Sequence, residues 1–454
     1  MAVAYARTLT FHRSYGQEVS TSSAESFHEL LPHPWSDAVA TNFGCRSHKT
    51  KARSLCSCDG SYRTLSFGGT MNQEIVEPRL EQQLQGNLMT FQPSHVAAPG
   101  MHITAHALLG RDMPPVYSSH ARMLVKSNTV LVTGAGGSIG SELVRQLTSL
   151  DAGRIICLDR DEYALYRLQL CLTGQAMLTD ESMVLADVSS RPQMEAVFAE
   201  HRPRLVFHAA ACKQLPLLER APAQAILTNV HGTMNVAALA AGYGTQYLVN
   251  ISTDKAARPV SVLGMTKRIA ELAAAEYTQG ITRAASVRFG NVFGSRGSFI
   301  ETLAHQVGAR LPVTITHPEM TRFFMTIPQA VGLVIEAAVM ADGKSIFTLD
   351  MGESHNIVNI ARRYALLAGL GEPEIICTGR RAGEKLDEEL TGPGETCRPT
   401  AHPSITAIPV EPGEQMHRLA IQSLVHAASH GASPHRLREA LAQLTGAACV
   451  EASR

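Results

Sequence analysis

The stretch Val130-Leu-Val-Thr-Gly134-Ala-Gly-Gly137-Ser-Ile-Gly140 constrains the chain more than any other. A short apolar, β-branched run meets three glycines spaced three residues apart, and a helical pattern, Ser141-Glu-Leu-Val-Arg145, follows at once. This order predicts a strand, a phosphate-binding turn and a helix start. Gly134 permits the tight turn, Gly137 lets the backbone approach a pyrophosphate with no Cβ in the way, and Gly140 lets the helix pack close to its strand. Ser138 and Ile139 complete the turn, where free N–H groups and the positive end of the helix dipole favour an anion.

The next segments extend the same pattern. Ile155-Ile-Cys-Leu-Asp159 reads as a second strand, and Asp159 lies 19 residues past Gly140, where a carboxylate accepts hydrogen bonds from an adenosine ribose. Arg160 is suited to a 2′-phosphate, so NAD is favoured over NADP only slightly. Asp187 and Val188, after the strand Met183-Val-Leu-Ala, fall at the adenine end. As a lone acid, Asp187 reads equally as a cap for the helix opened by Arg191-Pro-Gln-Met. Leu205-Val-Phe-His-Ala-Ala-Ala211 is a buried strand running into a small-residue turn, and at Ala209 and Ala210 a bulky side chain would collide with a bound dinucleotide.

A chain of 454 residues is long enough for one large α/β domain with additions. Its 40 basic and 40 acidic residues cancel, so no net field favours nucleic acid or an anionic membrane. Nine scattered cysteines suit a reducing compartment better than a disulfide framework. No run approaches the roughly 18 apolar residues of a membrane-spanning helix. The longest, Val331-Gly-Leu-Val-Ile-Glu-Ala-Ala-Val-Met340, is interrupted by Glu336 and predicts a core helix. A soluble, cytoplasmic protein is expected.

Residues 1–100 are rich in Ser, Thr, His and Gln, lack a sustained period and are expected to be mostly disordered. Within them, the spacing of Cys45, His48, Cys56 and Cys58 is not that of a zinc knuckle and the flank is basic, so no metal is expected. No apolar h-region with a small-residue cleavage site follows Met1, so no secretory signal is expected, and Met71 is a candidate alternative start. A polar lead-in over 101–126 precedes the first strand. Alternating strands and helices over 127–290 predict a doubly wound parallel sheet, a Rossmann α/β fold. A smaller substrate-binding lobe is expected over 291–410, and a helical tail over 411–454 with stretches at 414–428 and 434–444. An apolar face on helices 229–241 and 264–277 would suit a second copy, so a homo-oligomer is allowed.

The fifth strand, Gln246-Tyr-Leu-Val-Asn-Ile-Ser252, ends in Thr253-Asp254-Lys255, and Lys267 lies in the following helix. Its carboxyl end should open onto the cofactor. A hydroxyl, a carboxylate and two amines beside a nicotinamide are the groups needed to move protons while the cofactor moves hydride. Lys267 is expected near the ribose with its pKa lowered by neighbouring positive charge.

The glycine turn, Asn229-Val-x-Gly-Thr and Ser252-Thr-Asp-Lys255 resemble the extended short-chain dehydrogenase/reductase superfamily. More narrowly, His208-Ala-Ala-Ala-Cys-Lys213, Ile251-Ser-Thr-Asp-Lys-Ala-Ala-Arg-Pro259, Gly264-Met-Thr-Lys-Arg268, Val287-Arg-Phe-Gly-Asn-Val292, Thr316-His-Pro-Glu-Met-Thr-Arg-Phe-Phe-Met-Thr326 and Gly383-Glu-Lys-Leu386 resemble the bacterial polysaccharide-biosynthesis nucleotide-sugar 4,6-dehydratases. The resemblance covers roughly 103–445. The membrane-spanning front half of longer members has no counterpart in it.

The resemblance implies NAD(P) that is reduced and reoxidised within one turnover. The sugar is oxidised at C4, loses the C5 proton and the C6 hydroxyl, and regains hydride at C6, giving a 4-keto-6-deoxy sugar for polysaccharide, lipopolysaccharide or other glycan synthesis. It further implies Lys255 as the C5 base, Asp254 as the acid for the departing hydroxyl, Thr253 as a donor to the C4 oxygen and Lys267 as the holder of the nicotinamide ribose. Lys213, Arg258, Asn291 and Arg322 are the candidates for the sugar nucleotide, a UDP-N-acetylhexosamine such as UDP-N-acetylglucosamine. Glu384 and Lys385 either contact it or tie the tail to the body.

Two positions depart from the family pattern. Leu263 stands four residues before Lys267, where the superfamily usually has Tyr and this branch often Met, so C4 deprotonation falls to Asp254 or a water. Cys212 stands where relatives often carry Tyr. A nucleotide-sugar 4-epimerase and a non-catalytic NAD- or nucleotide-sugar-binding protein are the alternatives. Asp254 and Lys255 favour dehydration over epimerisation, which needs no C5 base.

Overall fold

The computed structural model describes residues 103–110, 114–278, 280–410 and 418–447. The strands in chain order are β1 Thr129–Thr133, β2 Arg154–Asp159, β3 Met183–Leu185, β4 Leu205–His208, β5 Tyr247–Ile251, β6 Arg283–Arg288 and β7 Asn291–Phe293. There follow β8 Val313–Ile315, β9 Thr321–Thr326, β10 Ser345–Leu349, β11 Ser354–Asn356, β12 Ile375–Cys377, β13 Arg398–Pro399 and β14 Ile405–Pro409. A nine-stranded sheet has the order β13-β14-β10-β6-β5-β4-β1-β2-β3. The pairings from β3 through β10 are all parallel, whereas β14 runs antiparallel to β10 and to β13.

The central strands are apolar throughout because both faces are covered. Val130 and Val132 of β1 point into one core layer with helices Ser138–Ser149 and Ile327–Val339, while Leu131 points into the other with helices Arg191–His201 and Gly232–Gly242. The chain reverses after β1, so β2 and β3 lie on one side of it and β4 to β6 on the other. That reversal opens a crevice at the carboxyl ends of β1 and β4, where doubly wound sheets take ligands.

Several sequence expectations need correction. The expected domain limit at 290 is not a limit of the sheet, because β10, β13 and β14 return from the later segment to extend it. The remaining strands form a three-stranded sheet, β11-β9-β7, and a two-stranded one, β12-β8. The lead-in is not a polar approach either. Leu108 is fully buried among Leu303, Phe324 and Ile360, so its replacement by Ala should cost about 2–5 kcal/mol. The Ser118 N–H donates to Glu336 at 2.5 Å and the Tyr117 hydroxyl to Gln146 at 2.6 Å. Glu336, the interruption in the apolar run, is thus a buried acceptor that anchors this segment.

The segment expected as one helix over 229–241 begins with a π-helical turn, Ile226–His231, before the α-helix Gly232–Gly242. The tail forms helices Arg418–Ser429 and Pro434–Thr445. Their Ile421, Leu424, Val425, Leu437 and Leu441 share one buried cluster with Ile226, Val230 and Met234 and with Val262, Met265 and Ile269 of helix Val262–Tyr277. The apolar faces expected to meet a second copy are therefore covered within the chain. Among the described residues no helix is long and apolar enough to cross a membrane, and no group of three His, Cys, Asp or Glu side chains is placed to hold a metal. Cys45, His48, Cys56 and Cys58 lie outside the described residues.

Candidate active site

The glycines of the turn act through contacts that admit no side chain. Gly134 is left-handed at φ +67°, and a Cβ there would come within 2.7 Å of the Ala210 backbone. A Cβ on Gly140 would meet the Gly134 carbonyl oxygen at 2.0 Å. Gly136, which the triplet pattern does not single out, faces Ala164 so closely that a Cβ would sit 2.4 Å from its methyl group. Gly137 is the helix N-cap and offers no side-chain acceptor, and the first turn of helix Ser138–Ser149 holds no acid. Its leading N–H groups are available to an anion.

A cleft of about 480 Å³ runs from this turn in both directions, a size suited to a small-molecule cofactor. At one end are Asp159, Arg160, Asp187 and Val188. Asp159 accepts the Gly136 N–H at 2.9 Å and the Asp161 N–H at 3.1 Å, so it braces the turn it faces. Asp187 is not a helix cap: it accepts the Ser189 N–H and hydroxyl, each at 2.8 Å, and lies 3.5 Å from Arg160. Burial opposes its ionisation, but the Ser189 donors and the Arg160 guanidinium hold its carboxyl below the usual range. Ala209 and Ala210 form the floor, and Thr253, Leu263 and Lys267 line the other end.

Below the floor, His208 bridges Thr133 Oγ1 at 2.7 Å and Thr233 Oγ1 at 3.0 Å. The Thr233 hydroxyl donates its proton to the Asn229 carbonyl, so the network assigns the imidazole proton to Nε2. Burial, aided by the charge of Lys267, pushes His208 down to about 3. It is a neutral strut between β1, β4 and the following helix. Asn229 fixes the wall above it, accepting the Cys212 N–H at 2.8 Å and donating to the Cys212 carbonyl and to Thr266 Oγ1, both at 3.1 Å. Cys212 and Lys213 line the cleft on this wall. Lys213 is exposed as a residue, yet desolvation of its amine against the cleft wall lowers its pKa, and the nearby Arg296 lowers it further.

At the end of β5 the Thr253 hydroxyl donates to Asp254 Oδ1 at 2.8 Å, and Lys255 Nζ donates to the same oxygen at 3.0 Å. Asp254 is fully buried, and its Oδ2 has no hydrogen-bond partner. Lys255 also lies 3.5 Å from Glu388 Oε1, and Glu388 Oε2 lies 3.6 Å from Lys385 Nζ. Those last two atoms are buried without hydrogen bonds as well. Three buried polar atoms on Asp254, Glu388 and Lys385 thus lack hydrogen bonds, a pattern that a polar ligand or water relieves. Burial would lower the Lys255 pKa, but Asp254 and Glu388 more than compensate and raise it. Lys267 behaves oppositely: burial brings it down to about 8, against the pull of Glu271. The expectation for Lys267 had the right direction and the wrong cause, since desolvation rather than a neighbouring cation drives the shift.

A buried ion network supports this end of the cleft. Glu271 accepts the Ser252 hydroxyl at 2.6 Å and two guanidinium N–H groups of Arg288, each at 2.7 Å. Arg288, wholly buried, reaches Glu395 at 2.6 Å, which ties the 392–395 loop to β6.

The substrate candidates divide. Lys213 lies in the cleft, but Arg258 is 61% exposed and pairs at 3.3 Å with Glu389. Asn291 sits on β7 opposite Phe324 and does not line the cleft, although Gly290 and Val292 do. Arg322 is buried and donates to the carbonyls of Thr321, Lys385 and Leu386, with Glu384 3.7 Å away. Its donors hold the 384–386 backbone onto β9, with the Glu384 carboxylate beside the Arg322 guanidinium. Two residues not singled out in the sequence are placed where they matter. Glu388 follows the Gly383-Glu-Lys-Leu386 motif by two residues, and that motif was the signal available. Arg296 lines the cleft beside the glycine turn.

With this geometry in place, residues 130–410 match the family model described as polysaccharide biosynthesis protein. The chain belongs to that family. It is 42% identical over 310 residues to the probable polysaccharide biosynthesis protein EpsC of Bacillus subtilis, covering 67% of this chain and 51% of that one. This chain thus spans about half the length of such relatives. A UDP-glucose 4-epimerase of Rickettsia felis is 32% identical over 278 residues, 60% of this chain and 79% of that one. The solved structure of Pen from Bacillus thuringiensis superposes with a TM-score of 0.58 at 30% identity, covering 64% of this chain and 90% of that chain. The family is one of extended short-chain dehydrogenase/reductases, and the chain's sequence relatives include UDP-glucose 4-epimerases.

Proposed function

We propose that the chain is a nucleotide-sugar 4,6-dehydratase acting on a UDP-N-acetylhexosamine, UDP-N-acetylglucosamine being the substrate to test first, within polysaccharide synthesis in the cytoplasm. The observation that carries the reading is the buried Asp254 carboxylate, held between Thr253 and Lys255 by hydrogen bonds of 2.8 and 3.0 Å beside the cleft. The glycine turn, with its uncapped N–H donors, and the Ala209–Ala210 floor fit NAD(P). Asp159 faces the ribose position and Arg160 is already paired with Asp187, which favours NAD.

NAD(P) held in the cleft would supply the hydride acceptor for C4 and the hydride donor for C6. The chain's own groups move the protons. Leu263, buried against the cleft, accepts none. The Thr253 hydroxyl already donates to Asp254, so a C4 hydroxyl bonded to Thr253 Oγ can pass its proton through Thr253 to the carboxylate. Neutral Lys255 then takes the C5 proton while Asp254 delivers the acquired proton to the departing C6 hydroxyl, which leaves as water. Protonated Lys255 returns its proton to C5 as hydride arrives at C6, and both side chains regain their starting ionisation. Because its carboxylate neighbours raise the Lys255 pKa, the reactive neutral amine grows as pH rises, and so should the rate.

The 4-epimerase is the second reading, favoured by the Rickettsia relative. It uses Thr253 and Asp254 at C4 and leaves Lys255 without a task. Incubation of the purified chain with UDP-N-acetylglucosamine and NAD separates them by mass: the dehydratase yields a product lighter by one water, and the epimerase yields an isomer of unchanged mass. Unchanged substrate with bound NAD would leave the non-catalytic binding protein.

A further inference from the structure

The loop between β7 and helix Phe299–Gly308 crosses the cleft rather than skirting it. Gly294 and Gly297 are both left-handed, at φ +76° and +65°, and between them Ser295 and Arg296 line the cavity. On one side the Arg296 N–H donates to Ser138 Oγ at 3.0 Å and its guanidinium donates to the Gly136 carbonyl. On the other, Gln214 Nε2 donates to the Gly297 carbonyl at 3.4 Å, and a Cβ on Gly297 would lie 2.2 Å from that nitrogen. Residues 294–297 therefore strap the glycine turn to the Cys212–Gln214 wall.

The charges on this strap have a direction. Arg296 brings a cation to the turn whose helix N-terminus already favours an anion. Lys213, in the facing wall, is close enough for Arg296 to depress its pKa beyond the effect of desolvation, with Glu301 offsetting in part. Two cations held in one cleft repel one another, and an anion between them removes that cost. The carbonyl that Arg296 now engages belongs to Gly136, next to the Gly137 N-cap. A diphosphate seated on that N-terminus comes within the guanidinium's reach, and the planar fork suits it better than an ammonium would.

We propose that Arg296 is a cofactor-holding residue: it takes the dinucleotide diphosphate from above while the helix N-terminus holds it from below, and the strap makes NAD(P) slow to leave. This rests on the reading of the cleft as a dinucleotide site, and it holds for dehydratase and epimerase alike. Slow release suits a reaction in which the same nicotinamide must accept and return one hydride.

The test is the dissociation rate of NAD from the full-length holoprotein, followed by rapid desalting and chromatography of the retained nucleotide. Arg296→Gln should release NAD roughly 10- to 100-fold faster, the loss of one charge-assisted contact. Arg296→Lys should fall between it and the wild type. Gln214→Ala frees only the far end of the strap and should also speed release, by a smaller factor. Melting of the cofactor-free proteins controls for folding, because a structural role would lower all melting points and this role lowers none. Wild-type release rates in Arg296→Gln and Gln214→Ala, with normal melting, would overturn the proposal alone. A wild-type chain that retains neither NAD nor NADP would overturn the dinucleotide reading itself.

Discussion

The two ends of the cleft are built on different principles. The glycine turn is made of backbone: a left-handed residue, contacts that exclude a Cβ, and N–H groups at a helix start, all within seven consecutive residues, 134–140. The end beyond β5 is made of side chains gathered from afar, with Lys255 facing Glu388, Ser252 facing Glu271, and Arg288 holding Glu395. A backbone site is specified locally and tolerates little variation at its few glycines. A side-chain site is specified by the fold, and its parts carry no mark in the sequence until the chain brings them together.

The contrast can be broken most severely at Lys255. Lys255→Met removes the C5 base and should lower kcat about 10³-fold, with NAD still retained because the turn is untouched. Loss of NAD together with activity would show that the two ends are not separable. Glu395→Gln should act on stability instead, leaving a buried Arg288 half-paired at a cost of about 3–5 kcal/mol, read as a fall in the denaturation midpoint.

Glu388→Gln sharpens the comparison further. Lys255 is pressed toward its charged form by Asp254 and Glu388 and away from it by burial and by Arg322, while Lys385 faces Glu388 from the other side. With the Glu388 charge removed, the Lys255 pKa falls, so the neutral base appears at lower pH. The rise of kcat with pH should move to lower pH. A uniform drop in kcat at every pH, without that displacement, would mean that Glu388 only packs the site. The smallest effect belongs to Arg258→Ala. That side chain is exposed and paired at the surface, so less than about a twofold change in kcat/KM is expected.

What the sequence conveys follows this division. The strand–turn–helix at 130–140, Asp159 and the small residues at 209–210 are local patterns with local causes, and the structure places all of them around one cleft. Lys267 is fixed by its helix position. Arg322 and Arg258 are less legible because arginines in similar-looking motifs can face inward to carbonyls or outward to water. Only the register of β9 and the surface position of Arg258 decide which. Arg296 lies 160 residues from the Gly136 carbonyl it meets and Glu395 107 from Arg288, separations over which no spacing rule operates. Leu108 and Glu336 were obscured by the same cause, since a polar neighbourhood in sequence became a buried contact in space.

The central claim is that Asp254 and Lys255 work as an acid and a base on C5 and C6 of a nucleotide sugar. The most direct measurement is turnover of UDP-N-acetylglucosamine in deuterated water, with the isotope located in the product by NMR. The account expects a product lacking one water that carries solvent deuterium at C5, and no C5 label from Lys255→Met. A wild-type product epimerised at C4 with its C5 proton retained would contradict it.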